Sequence, residues 1–140
     1  MGRIIKLESA GKERTQLLRS ISLAVLALMG QDEVNTQVRD LAAFITLALE
    51  AISETIEISV SAWEKRGYWL KADKFRLEWY WAENLGKKMR IALFEEDWSE
   101  VALTTAHVAE KTKDIYLPKH TRSATPWVGA WKTFQGTNKR

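Results

Sequence analysis

Apolar residues recur at helical spacing in four long stretches of this chain. In the first, Leu17, Leu18, Ile21, Ala24, Val25 and Leu28 follow at steps of three and four, which predicts a helix over 9–29 with Ser9 as its N-cap. Gly30-Gln31-Asp32 reads as its stop. A second seam runs from Val34 and Val38 through Leu41, Ile45 and Ile52 to Ala62, and predicts a helix over 33–66. Gly67 must break the chain there, because an unbroken helix from 33 to 94 would be about 90 Å long. The third helix, over 68–94, repeats the seam with Ala72, Phe75, Trp79, Ala82, Gly86, Met89 and Leu93. A fourth begins behind the capping arrangement Asp97-x-x-Glu100, carries Trp98, Val101, Thr105, Val108, Thr112 and Ile115, and ends at Pro118.

The third helix has a second apolar side. At 100° per residue, Leu70, Leu77, Trp81 and Leu85 fall away from the seam, beside Lys74 and Lys88. One face serves the core and the other needs a second partner. Two coverings compete. The C-terminal segment can begin a short helix at Thr125-Pro126 and fold Trp127, Trp131 and Phe134, spaced i, i+4, i+7, over that face. Alternatively the face is a subunit interface and the tail engages a partner.

The pattern predicts an all-α protein, an antiparallel up-down-up-down four-helix bundle over 1–117 with a basic, Trp-containing extension over 118–140. Ile4, Ile5 and Leu7 precede it as a short extended arm. Trp63, Trp69, Trp79 and Trp98 lie at seams or helix ends and are expected in the core.

Charge sharpens the pairing. The chain carries a net +3, but residues 1–32 carry +2, 33–64 carry −5, 65–94 carry +5, 95–115 carry −4 and 116–140 carry +5. In a four-helix square these alternating signs put opposite charges across every neighbouring pair, with Glu57 level with Arg76. Each exposed pair contributes only about 0–1 kcal/mol, so the alternation selects pairing more than it adds stability. It also uses up much of the third helix's positive charge, which weakens a nucleic-acid footprint.

Composition removes several functions. With no cysteine there is no disulfide, thiolate metal site or cysteine nucleophile. A ferritin-like metal pair needs Glu-x-x-His on two helices, whereas His107 and His120 are preceded at that spacing by Thr104 and Leu117. Glycine-rich phosphate loops, nucleophile elbows and zinc spacings are missing, so neither enzyme activity, metal nor cofactor is expected. No apolar run reaches the roughly 20 residues of a membrane span. Arg19, Glu8 and Glu13 spoil a secretory signal, and Lys6 stands where a myristoylation signal needs Ser or Thr. A cytoplasmic, non-membrane protein is expected.

The functional expectation is a self-associating interaction or scaffold protein, with a homo-oligomer or another protein as partner. The alternative is a nucleic-acid-binding accessory module. In either case the expected contact residues are Leu70, Lys74, Leu77, Trp81 and Lys88 on the third helix, and Arg122, Trp127, Trp131 and Lys132 in the tail.

Overall fold

The computed structural model describes residues 7–119 and 124–137. Among these, all regular structure is helical: α1 (Leu7–Met29), α2 (Thr36–Lys65), α3 (Trp69–Phe94), α4 (Trp98–Thr112) and a short α5 (Ala130–Gly136). Helix α1 packs on α2, α2 on α3, α3 on α4 and α4 on α1, while α5 packs on α2. The cyclic order of the first four is the one the alternating charges favour. Of the expected extended arm, Leu7 is instead the first residue of α1, while Ile4 and Ile5, like Arg122 in the tail, lie outside the described residues.

Helix α2 is the centre. Leu41, Ala42, Ala43, Ile45, Thr46, Ala48 and Leu49 are all buried, which covers most of its circumference, because α1, α3 and α5 each press on a different side. Small residues permit the approach. A Cβ on Gly86 of α3 would stand 3.3 Å from Cβ of the fully buried Leu49, closer than ordinary packing allows. The seam glycine therefore sets the spacing of α2 and α3.

Caps define where the helices start and stop. Helix α2 begins at Thr36 and not at residue 33, because the Asn35 side chain accepts the Val38 N–H at 2.9 Å. Asp97 caps α4 as expected, accepting the Glu100 N–H at 3.2 Å. Ser9, the expected first cap, already lies inside α1.

Helices α2 and α3 end with the same hydrogen-bond pair. After α2, Tyr68 N–H reaches Trp63 O and Gly67 N–H reaches Glu64 O, with Gly67 at φ 82°. After α3, Asp97 N–H reaches Ala92 O and Glu96 N–H reaches Leu93 O, but the left-handed residue is Glu96, at φ 52°. That conformation costs a residue with a Cβ about 1–2 kcal/mol, and glycine's extra unfolded freedom offsets about 0.4–1 kcal/mol of the relief. Glu96→Gly is expected to raise stability by roughly 0.5–1 kcal/mol, read as a higher urea midpoint. An unchanged or lower midpoint would mean that the Arg39–Glu96 ion pair at 3.6 Å, which glycine loses, outweighs the strain.

Arg76 of α3 meets Glu57 at 3.5 Å, as the charge pattern predicts, and also Glu64 at 3.2 Å. Farther along α3, Arg90 meets Glu50 at 2.6 Å. Late α3 thus lies beside earlier α2, the arrangement of a hairpin closed at Gly67.

Candidate interaction surface

The surface is set by helix length. At 1.5 Å per residue, the 26 residues of α3 span about 39 Å and the 15 of α4 about 22 Å. Helix α4 covers only part of its neighbour, with Thr105 beside Met89 at 4.0 Å. Burial along α3 is correspondingly lopsided: Ala82, Leu85, Gly86, Met89, Ala92 and Leu93 are buried, but before Ala82 only Ala72 is. The expected seam of α4 continues to Ile115, whereas the helix stops at Thr112. The chain then turns through 113–119, where Ile115, Tyr116 and Leu117 border Leu23 and Leu26 of α1.

The tail does not cover the open part of α3. It docks on α2, and two side chains fix it there. Asp40 of α2 accepts the N–H of Gly129 at 3.1 Å and of Trp131 at 2.9 Å, so an acidic side chain from another helix caps α5. Arg90 of α3 clamps the Glu50 carboxylate with Nε and Nη2 at 2.6 and 2.9 Å, stacks over Phe134 at 4.9 Å and donates to Thr137 O. The hydrogen bonds to Glu50 hold the Arg90 proton more firmly than usual and raise its pKa. The short helix starts at Ala130 and not at Thr125-Pro126, because Gly129 at φ 86° and the distant Asp40 supply the start. Trp127 is 6% exposed and Phe134 1%, and both join Leu49 and Ile52 in one hydrophobic cluster.

These placements sort the expected contact residues. Trp127 is core and is unavailable to a partner, a correction that follows from tail docking on α2. Trp131 is half-buried and stacks on Phe134 at 5.7 Å, and Lys132 is exposed. Lys74 and Lys88 are exposed. Trp81 is half-buried and does not stand opposite Trp79; the two rings stack at 6.0 Å. Leu85, expected on the open face, is buried in the half of α3 that packs on α4. Leu70 and Leu77 remain open, 75% and 79% exposed. Trp69, expected in the core, is 60% exposed. Tyr80 and Ile91, at 57% and 60%, extend the open surface and were not singled out from the sequence. Ile91 stands at multiples of seven from Leu70 and Leu77, and Tyr80 three residues after Leu77, which is the helical spacing that places them on the same side.

Behind this surface, aromatic residues fill the volume where α1, α2 and the first half of α3 meet. Trp63 meets Phe75 edge-on at 4.9 Å, and Phe75 meets Trp79 at 6.2 Å. Arg14 of α1 inserts among them, 5.0 Å from the Phe75 centroid and 5.6 Å from Trp79. Its Nε donates to Thr55 Oγ1 at 3.1 Å, and Nη2 donates to Thr55 O and Ser59 Oγ, each at 3.2 Å. Burial pushes the Arg14 pKa down.

On α2, Glu50 is paired with Arg90, and Glu57 and Glu64 with Arg76. Among the described residues no group of three or more His, Asp or Glu side chains is placed to hold a metal ion, and no helix is long and apolar enough to cross a membrane. Comparison with known proteins finds no matching protein family, curated protein or solved structure.

Proposed function

We propose that this protein is a non-enzymatic helical interaction module that associates with copies of itself through the uncovered face of α3. In this reading residues 1–117 form an antiparallel up-down-up-down four-helix bundle, and 118–140 are an extension docked on α2. The observation that carries it is the exposure of Leu70, Leu77, Tyr80 and Ile91 along one helix. Scattered apolar residues are normal on any protein surface, whereas aligned ones mark a contact surface. A cytoplasmic setting belongs to the same proposal and rests on the cysteine-free composition.

Light scattering on the eluting full-length protein tests the idea. The wild type is expected at a multiple of its 16.1 kDa chain mass, and the double substitution Leu70→Glu/Leu77→Glu at the monomer mass with unchanged helicity. Neither leucine is packed in the core, so the substitutions leave the fold intact. A wild type that elutes as a monomer across the accessible concentration range would refute self-association.

One observation favours a second reading, binding to nucleic acid. Lys74 and Lys88 are exposed beside the open face and make no ion pair among the described residues, and Lys71 stands 4.5 Å over the Trp63 ring. Binding of this kind would weaken steeply with salt as phosphate contacts release counterions. Absence of RNA and DNA binding at low salt would remove it.

A further inference from the structure

The open residues of α3 are in heptad register. Leu70, Asp73, Leu77, Tyr80, Asn84, Lys87 and Ile91 recur at steps of three and four, and Leu70, Leu77, Asn84 and Ile91 fall seven apart. All but the half-buried Asn84 are exposed, and the stripe lies opposite the fully buried Ala82 and Met89. From Leu70 to Ile91 it is about 31 Å long, three heptads. A stripe of this kind matches the side of a second helix better than the planar base of a nucleic acid, because it is narrow, aliphatic at its ends and carries an acidic residue.

Charge decides the direction of that second helix. Asp73 and Lys87 lie seven residues before and seven after Tyr80. A parallel pairing of two copies would set Asp73 against Asp73 and Lys87 against Lys87, in positions where like charges repel across the contact. An antiparallel pairing with its twofold axis at Tyr80 sets each Asp73 against the Lys87 of the other copy, about 10.5 Å on either side of the axis. The same operation brings Leu70, ten residues before Tyr80, against Ile91, eleven after. Both charged side chains are free to turn outward: Asp73 is 66% exposed with Arg76 at 3.6 Å, and Lys87 is 72% exposed with Glu83 at 2.9 Å, both solvent-facing pairs that contribute little.

We infer that two copies of this chain pair α3 against α3, antiparallel about Tyr80, with Asp73 of each copy facing Lys87 of the other. The inference rests on the self-association reading and specifies its geometry. The contact is isologous, so it closes at a dimer and leaves the tail, docked on α2, outside it.

Charge reversal in the full chain tests it. Asp73→Lys alone and Lys87→Glu alone each create two repulsive contacts per dimer and are expected to raise the dissociation constant about tenfold or more. The double variant Asp73→Lys/Lys87→Glu is expected to return it to within about threefold of wild type. The intrahelical pairs with Arg76 and Glu83 stay broken in the double variant, so recovery can come only from the contact between copies. Cysteine substitution supplies a second measurement, since the chain has no native cysteine. Under mild oxidation Tyr80→Cys should cross-link with itself. Leu70→Cys and Ile91→Cys should cross-link when mixed and not separately.

Self-linking of Leu70→Cys would establish a parallel pairing and overturn the inference. A wild type that self-associates equally well with either single reversal would also overturn it, while leaving self-association through another surface standing. A monomeric wild type would remove both.

Discussion

Phe134→Ala is expected to cost about 3–5 kcal/mol, the range for a buried phenylalanine, although Phe134 sits in the seven-residue α5. Its ring is 1% exposed, belongs to the same cluster as Leu49 and Ile52, and is roofed by Arg90 at 4.9 Å. Truncation leaves a cavity and takes the stacking surface from an arginine already committed to Glu50. Helix α5 has seven residues and cannot persist alone, since isolated helices shorter than about 12–15 residues are marginal in water. Loss of its one large buried side chain should therefore undock the segment from Trp127 onward. Urea denaturation followed by circular dichroism gives the stability, and Trp127, now wetted, should shift tryptophan emission to the red before the main transition. A loss below about 1 kcal/mol would show that the tail contributes no core.

Arg14→Ala is expected to cost about 2–3 kcal/mol, because hydrogen bonds from a charged group contribute about 1.5–3 kcal/mol where partly buried. The guanidinium joins three elements at once. It donates to Thr55 and Ser59 of α2 and stacks by Phe75 and Trp79 of α3 while anchored on α1. Thr55 Oγ1 donates its own proton to Ile52 O at 2.7 Å, which leaves its lone pairs turned to Arg14. No carboxylate is needed, since hydroxyl and carbonyl oxygens and the two ring faces take that place. Arg14→Lys should recover little, because an ammonium has neither the planar face for stacking nor the forked donors that reach both Thr55 and Ser59. Full recovery in the lysine variant would show that charge alone matters there and would end the stacking account. This test bears on the aromatic end of the protein, where α4 is too short to reach and Arg14 closes the packing between α1, α2 and α3.

Legibility differed from feature to feature. Four long helices, the break at Gly67, the Asp97 cap and the Glu57–Arg76 pair could all be read from the chain, because each depends on residues close in sequence or on a hairpin whose geometry is fixed once its turn is known. The start of α5 could not, since its cap comes from Asp40, roughly ninety residues earlier. Trp127, Trp131 and Phe134 all pack in or against the core, though Trp127 lies before α5 and not on it. Of the two coverings that compete for the second face of α3, tail folding over it is not the one seen, since the tail docks on α2. Nothing local distinguishes α2 from α3 as the acceptor. The choice is made by Asp40 of α2 and by the Arg90–Glu50 clamp, the second of which exists only after α2 and α3 have paired.

The same division holds for the open face. Periodicity by itself established that α3 is apolar on more than one side, because a residue's angular position on a helix follows from its number alone. It could not say which side would be closed. That depended on α4 stopping at Thr112 and on the tail leaving for α2, and both are settled by packing between distant segments. Leu85 was thereby drawn into the core and Trp81 turned against Trp79, while Leu70, Leu77, Tyr80 and Ile91 were left outside. Local sequence set what could be buried, and the lengths and docking of the neighbours decided what was.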